Sequence, residues 1–304
     1  MRRKAIVLLS AIWTLSFAWS TSAQTSFGRS TLFNDGWTFV RADVAGAPAP
    51  DYDDSGWVPV QLPHDWSVKG TLSPDNASCT GFLPAGIGWY RKHFSGRRLP
   101  AGKAFIYFEG VYNRSSVYLN GHLLGERPSG YASFLYDMTP YLNREGDNVL
   151  AVRVDHSRKA DSRFYTGSGI YRNVWLVSSG ETHFALWGVG YVTRSLSTKQ
   201  AIVAVDTQVE GPLPSSAKLS LTLKDSAGKV VSKKSVRASA KQEVDLKISA
   251  PHRWDLDDPY LYTLEASLQD GKEELDKTIV NVGLRTLSFD AYTGFALYGV
   301  NRKV

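Results

Sequence analysis

The sequence predicts an all-β protein of two consecutive sandwiches. The first is a jelly roll and the second is immunoglobulin-like. Three observations carry this. Apolar residues alternate with period two along most of the chain, as in strands with one buried face. No segment of ten or more residues carries a 3.6-residue apolar stripe. The texture also changes near residue 180: Trp, Gly and irregular loops come before it, and short regular strands with few aromatics come after it.

The elements follow in order. Residues 104–108 (Ala-Phe-Ile-Tyr-Phe) form an unbroken apolar run, as expected of a strand covered on both faces. Ser116–Leu119 and His122–Leu124 flank Asn120-Gly121. That dipeptide tolerates positive φ at both turn positions and predicts a hairpin. Asn148–Val154 alternates after the turn-like stretch 144–147, and Val174–Val177 reads as a further strand. Gly86-Ile87-Gly88 reads as a simple loop before a strand. Beyond residue 180, Leu219, Leu221 and Leu223 share one face, 225–228 turns, and Val244, Leu246 and Ile248 alternate again. Tyr260–Leu268 and Lys277–Val282 complete six or seven strands over about 105 residues, which suits an immunoglobulin-like sandwich. The longer first region with its irregular loops suits a jelly roll.

Composition is that of a globular protein, with 43% hydrophobic and 21% charged residues among 304. Residues 1–23 read as a secretory signal, which implies a secreted or periplasmic protein. Arg2, Arg3 and Lys4 precede an uncharged, mostly apolar stretch from Ala5 to Trp19, and Thr21-Ser22-Ala23 supplies the cleavage site before Gln24. An uncleaved N-terminal anchor is the alternative; no later segment is apolar enough to span a bilayer. Removing three basic residues from 35 leaves 32 against 29 acidic ones. That bias is too weak for a nucleic-acid partner. Cys79 is the single cysteine, so neither an internal disulfide nor a cysteine-based metal site is expected.

The residues alone assemble no catalytic machinery. No nucleophile elbow, phosphate loop or His-Glu-x-x-His is present, and the six histidines lack metal-ligand spacing. No metal and no cofactor is expected. A carboxylate pair for glycoside hydrolysis would have to come from residues such as Glu109, Asp65, Asp155 or Asp161. Each of these alone reads first as a solvated or turn-capping charge. Two loops stand out by combining polar groups with aromatics: Leu62-Pro63-His64-Asp65-Trp66, and the stretch from Asp161 to Arg172. A few polar groups placed among aromatic rings are what a sugar pocket needs. The structural alternative is that Trp66, Trp89 and Tyr165 belong to the core with their polar ends satisfied.

These stretches resemble glycoside hydrolase family 2, especially its β-galactosidase branch, from about Phe33 to the last residue. Asn34–Phe39 is similar to the family's opening strand, Leu62–Trp66 to its proline turn, and Gly88–Phe94 to the next signature. Gly110–Tyr112, then Val117–Gly121 and Gly125, continue the match. Asp161–Trp175 is similar to the family's most distinctive segment, with Phe164 where tryptophan is usual. Asp257–Tyr262, Gly283–Thr286 and Phe289-Asp290 match further downstream.

The resemblance implies a galactose-binding-like jelly roll at 24–180 and an immunoglobulin-like sandwich at 181–288. Residues 289–304 would begin a (β/α)8 barrel. In the family that barrel supplies two glutamates acting by the retaining mechanism. It needs about 250 residues, and 15 remain from Asp290 onward. The expectation is therefore that these 304 residues lack the catalytic pair and are inactive alone. They would act with a catalytic barrel on a β-galactoside or related β-glycoside. By the resemblance, Asp161 reaches the sugar hydroxyls, Arg163 stands beside it, and Asn76 lies where another loop approaches the sugar. Phe289, Phe295 and Leu297 are expected to form an uncovered apolar patch. A stand-alone carbohydrate-binding module is the second reading. A purely structural adhesion sandwich is the third, and it leaves the 161–172 loop unexplained.

Overall fold

The computed structural model describes residues 27–158 and 165–303. The secretory signal expected at 1–23 lies outside them.

Ten strands build the first sandwich: β1 Arg29–Leu32, β2 Trp37–Val40, β3 Val58–Val60, β4 Gly86–Ser95 and β5 Lys103–Phe108. Then come β6 Ser115–Leu119, β7 His122–Arg127, β8 Phe134–Asp137, β9 Asp147–His156 and β10 Val174–Ser179. They form a six-stranded sheet ordered β3-β2-β4-β9-β6-β7 and a four-stranded sheet ordered β1-β10-β5-β8. Every neighbouring pair is antiparallel. Inward residues of both sheets, among them Trp37, Tyr90, Val152, Ile106 and Phe108, fill the space between. Asn120 and Gly121 take φ of 51° and 85°, as their turn requires. Gly86–Gly88, which reads as a loop, is the start of β4.

The second sandwich uses β11 His183–Leu196, β12 Gln200–Glu210, β13 Lys218–Lys224, β14 Val230–Arg237, β15 Lys241–Ser249, β16 Tyr262–Asp270 and β17 Glu273–Val282. A three-stranded sheet, β11-β12-β15, faces a four-stranded sheet, β14-β13-β16-β17. Leu219, Leu221 and Leu223 point inward together with Val244, Leu246 and Ile248, so period-two alternation marks the buried face on each strand.

The apolar run at 104–108 is explained by both sandwiches at once. Ala104, Ile106 and Phe108 face the first core. Phe105 and Tyr107 face outward and join Phe27, Trp175 and Val177 in one continuous core with the second sandwich. Asp276 clasps this junction. Its carboxylate accepts N–H groups from Gly28 (2.9 Å), Phe184 (2.8 Å) and Lys277 (2.9 Å), tying the start of the first sandwich to two strands of the second. Burial holds its pKa above the ordinary carboxylate value despite those three donors.

Residues 287–301 form a small antiparallel meander, β18 Leu287–Asp290, β19 Gly294–Leu297 and β20 Val300–Asn301. The apolar patch expected here is only partly uncovered. Phe289 is 78% exposed and Tyr292 97%, whereas Leu297 is 3% exposed. Tyr298 holds the meander down by donating to the carbonyls of Leu284 (3.1 Å) and Trp254. Exposed aromatics on a meander drive association at high concentration. The chain is expected to self-associate in light scattering, and Phe289→Ser with Tyr292→Ser to restore a monomer. An unchanged mass distribution in the double variant counts against this.

Candidate functional site: a cleft lined by Asn76, Ser157 and Arg158

The two loops singled out by their composition pair with each other. His64 N donates to Ile170 O (2.8 Å) and Trp66 N to Ser168 O (3.0 Å), so 64–66 and 168–170 run side by side. Gly169 also exchanges both backbone hydrogen bonds with Tyr112 (2.9 Å each). Its φ is +125°, and a Cβ there would lie 2.3 Å from Tyr90 Oη and 2.6 Å from His64 O. Only glycine fits such a crossing.

Asp65 ties this pairing together. Its Oδ1 accepts N–H groups from Ser67 and Ser168 (2.9 Å each), and its Oδ2 accepts the Tyr165 hydroxyl at 2.5 Å. Burial and this carboxylate both push the Tyr165 hydroxyl far above its ordinary pKa, so the phenol stays protonated and keeps donating. Below it, Ser168 Oγ lies 2.5 Å from Ser67 Oγ and 2.6 Å from His156 Nδ1, all three side chains buried. Ser67 Oγ also donates to Pro84 O (2.7 Å). His64 Nδ1 shares a hydrogen bond with Tyr90 Oη (2.8 Å). Burial lowers the His64 pKa, and the Lys69 charge lowers it further against the opposing pull of Asp65. It is therefore neutral at physiological pH.

Asp161 and Arg163 lie outside the described residues. The described residues on either side of their segment are held in place. Asp155 Oδ1 accepts Ser157 N (3.0 Å) and Ser157 Oγ (2.6 Å) on the entering side, while Tyr165 and Ser168 are held by Asp65 on the leaving side. Asn76 stands nearby. With Arg41, Asp43, Asp75, Ser157 and Arg158 it lines an open cleft of about 560 Å³. The structure thus brings Asn76 to Ser157 and Arg158, the described residues that precede the segment holding Asp161. Asn76 Nδ2 donates to Phe82 O (3.0 Å). Guanidinium, carboxylate and amide groups around one cleft are the set that brackets vicinal hydroxyls.

The remaining candidates serve the fold, though not all in the way the sequence suggests. Glu109 accepts Trp175 Nε1 (2.9 Å) and Asn173 Nδ2 (3.2 Å) and lies 3.7 Å from Arg172 Nε, which makes it a buttress of β10. Asp155 caps Ser157 and pairs with Arg153 (3.5 Å) and Arg114 (3.8 Å). Trp66 is 5% exposed and stacks on Phe39 at 5.3 Å, so it is a core residue, but its Nε1 is buried without an acceptor among the described residues; Tyr165 is 41% exposed and is not part of the core. Among the described residues no group of three or more His, Cys, Asp or Glu could hold a metal ion, and no helix is long and apolar enough to cross a membrane. Arg41, Asp43 and Arg158 had no sequence signal. They reach the cleft only because β2, β4 and β9 are neighbours in one sheet.

Comparison with known proteins agrees with this architecture. Residues 72–179 match the sugar binding domain of glycosyl hydrolases family 2, and residues 190–285 match a second domain of the same family. The chain is 42% identical over 298 residues to Beta-galactosidase BoGH2A of Bacteroides ovatus, covering 94% of this chain and 35% of that protein. It is 36% identical over 308 residues to a putative beta-glucuronidase of Formosa agariphila, covering 100% and 29%. A beta-glycosidase structure from Bacteroides vulgatus superposes with a TM-score of 0.83 at 38% identity, covering 91% of this chain and 36% of that one. By both domains and their order the chain belongs to glycosyl hydrolases family 2, and its residues correspond to the N-terminal part of these enzymes, roughly a third of the relatives' length.

Proposed function

We propose that these residues are the substrate-side scaffold of a secreted β-glycosidase, β-galactosidase-like in specificity and retaining in mechanism. The jelly roll presents Asn76, Asp161 and Arg163 to a terminal β-galactoside or related β-glycoside. Hydrolysis itself falls to a (β/α)8 barrel carrying the glutamate pair. The observation that carries this reading is the cleft where Asn76 meets Ser157 and Arg158, all within the sugar-binding match. A second observation fits it. Glu109, Asp65 and Asp155 are each engaged by donors of the fold, which leaves none of them poised as acid or nucleophile.

The chain with methyl β-galactoside added at rising concentration tests the reading by amide NMR. Weak binding is expected, with shifts at Asn76, Ser157 and Arg158 that vanish in Asp161→Ala. Shifts confined to other surfaces, or none at saturating sugar, refute it. Tight binding by these residues alone would favour a stand-alone carbohydrate-binding module.

A further inference from the structure

The second sandwich carries an exposed tryptophan on an irregular stretch of β11. In β11, Phe184 pairs with Val209 of β12, and the next pair is Val189 with Thr207. Four residues of β11 therefore lie opposite one residue of β12. Bulges of this kind re-aim side chains and cluster at functional sites. Ala185 is buried and Leu186 packs on the junction core, while Trp187 is 59% exposed. Trp187 has φ of +56°, a conformation that is an outlier for a bulky residue and persists only where its surroundings impose it. Gly188 lets the strand return: a Cβ there would sit 2.6 Å from Gln208 O.

The neighbouring surface is built of complementary groups. Asp206, Gln208 and Glu210 alternate along β12 and are all exposed, giving a row about 14 Å long. Opposite Asp206 is Gly190, where an added Cβ would meet nothing within 4 Å, so the surface there is bare. Lys241 pairs with Gln208 from the other side. Trp187, this row, Lys241 and Gln242 line one open cleft of about 610 Å³. Gln242 Nε2 is buried there without an acceptor, while its Oε1 accepts Ser239 Oγ (2.7 Å).

We propose that this cleft is a second saccharide-binding surface, sharing no lining residue with the Asn76 cleft and taking a neutral oligosaccharide. The indole covers the C–H face of one ring, and Asp206, Gln208 and Glu210 take the hydroxyls of that ring and the next. Two carboxylates against one lysine exclude an acidic sugar chain. The nearby Arg194 does not change that balance, because Glu243 and Asp245 already hold it.

The test is calorimetric titration of the chain with β-1,4-linked galactotetraose, xylotetraose and cellotetraose, with a tetrameric uronate as the acidic control. At least one neutral tetrasaccharide is expected to bind, and the uronate not to bind. Trp187→Gly is expected to weaken binding at least about tenfold with an unfolding temperature unchanged or raised, because glycine tolerates positive φ. Asp206→Asn with Glu210→Gln is expected to weaken binding with an unchanged unfolding temperature. Asp161→Ala is expected to retain the affinity. Failure of all three neutral sugars to bind overturns the proposal. So does full affinity in Trp187→Gly, or a marked loss of stability there, which would mean a structural tryptophan. Affinity lost in Asp161→Ala but kept in Trp187→Gly overturns it while leaving the Asn76 cleft intact.

Discussion

Gly169→Ala is expected to destabilise the first sandwich by about 3 kcal/mol or more. Two costs add at this position. Alanine is strained at φ of +125°, and its Cβ would overlap Tyr90 Oη and His64 O at 2.3 and 2.6 Å. Tyr90 is fully buried and bonded to His64, so it has nowhere to retreat. The strand segment at 168–170 must then lift from 64–66. That breaks His64 N to Ile170 O, Trp66 N to Ser168 O and the Asp65 contact to Ser168 N together. Sugar-induced shifts at Ser157 and Arg158 should be lost along with stability. Gly228→Ala is the matched control. Its φ is +81° but an added Cβ meets nothing within 4 Å, so only the backbone cost, about 1 kcal/mol, remains. Equal unfolding temperatures for the two variants would refute the steric account.

Arg91→Met is expected to cost about 3–5 kcal/mol, because it removes one partner of a buried ionic cluster and leaves the others. Arg91 is fully buried on β4. Its guanidinium pairs with Asp54 (3.2 Å) and donates to the carbonyls of Ala47, Ala49 (2.9 Å) and Tyr52 (3.2 Å). Those carbonyls belong to the loop between β2 and β3, whose Ala47 and Trp57 form a small core with Trp89 and Ala151. Without the arginine the loop loses its anchor and several acceptors are stranded. For a domain of about 150 residues the unfolding temperature should fall by roughly 10 °C. The pH dependence adds a signature. Burial alone would raise the Asp54 pKa, but hydrogen bonds from Thr38 and His93 and the charges of His93 and Arg91 outweigh it and hold it below the ordinary value. A carboxylate with a lowered folded pKa contributes stability above its unfolded pKa, and that stability is lost as pH falls through the folded one. The gap between wild type and Arg91→Met should therefore narrow below about pH 5. A gap that widens on acidification would contradict the assignment.

Elements whose signal is local were readable from the residues. Asn120-Gly121 specified its own turn, and the leucines at 219, 221 and 223 specified their own face. The run at 104–108 announced cover on both sides without saying that a second domain supplied half of it. The features that position the site depend instead on what meets across the fold. Asp65 looked like a possible acid, and its place as the tie between two loops appears only when 64–66 and 168–170 are seen paired. Nothing near Arg91 in the sequence marks its role, because the carbonyls it serves lie some forty residues away. The bulge at Trp187 is a mismatch in count between two strands, and periodicity within either strand cannot reveal it.

The proposed function divides the labour: these two β domains would hold and orient a saccharide, and a separate barrel would supply the bond-breaking carboxylates. Incubation of the purified 304-residue chain with an aryl β-galactoside and an aryl β-glucuronide tests it directly. No release of the aryl alcohol above the buffer rate is predicted for either substrate. Turnover that disappears in Asp161→Ala would contradict the claim, because it would show a working acid–base pair assembled within these residues.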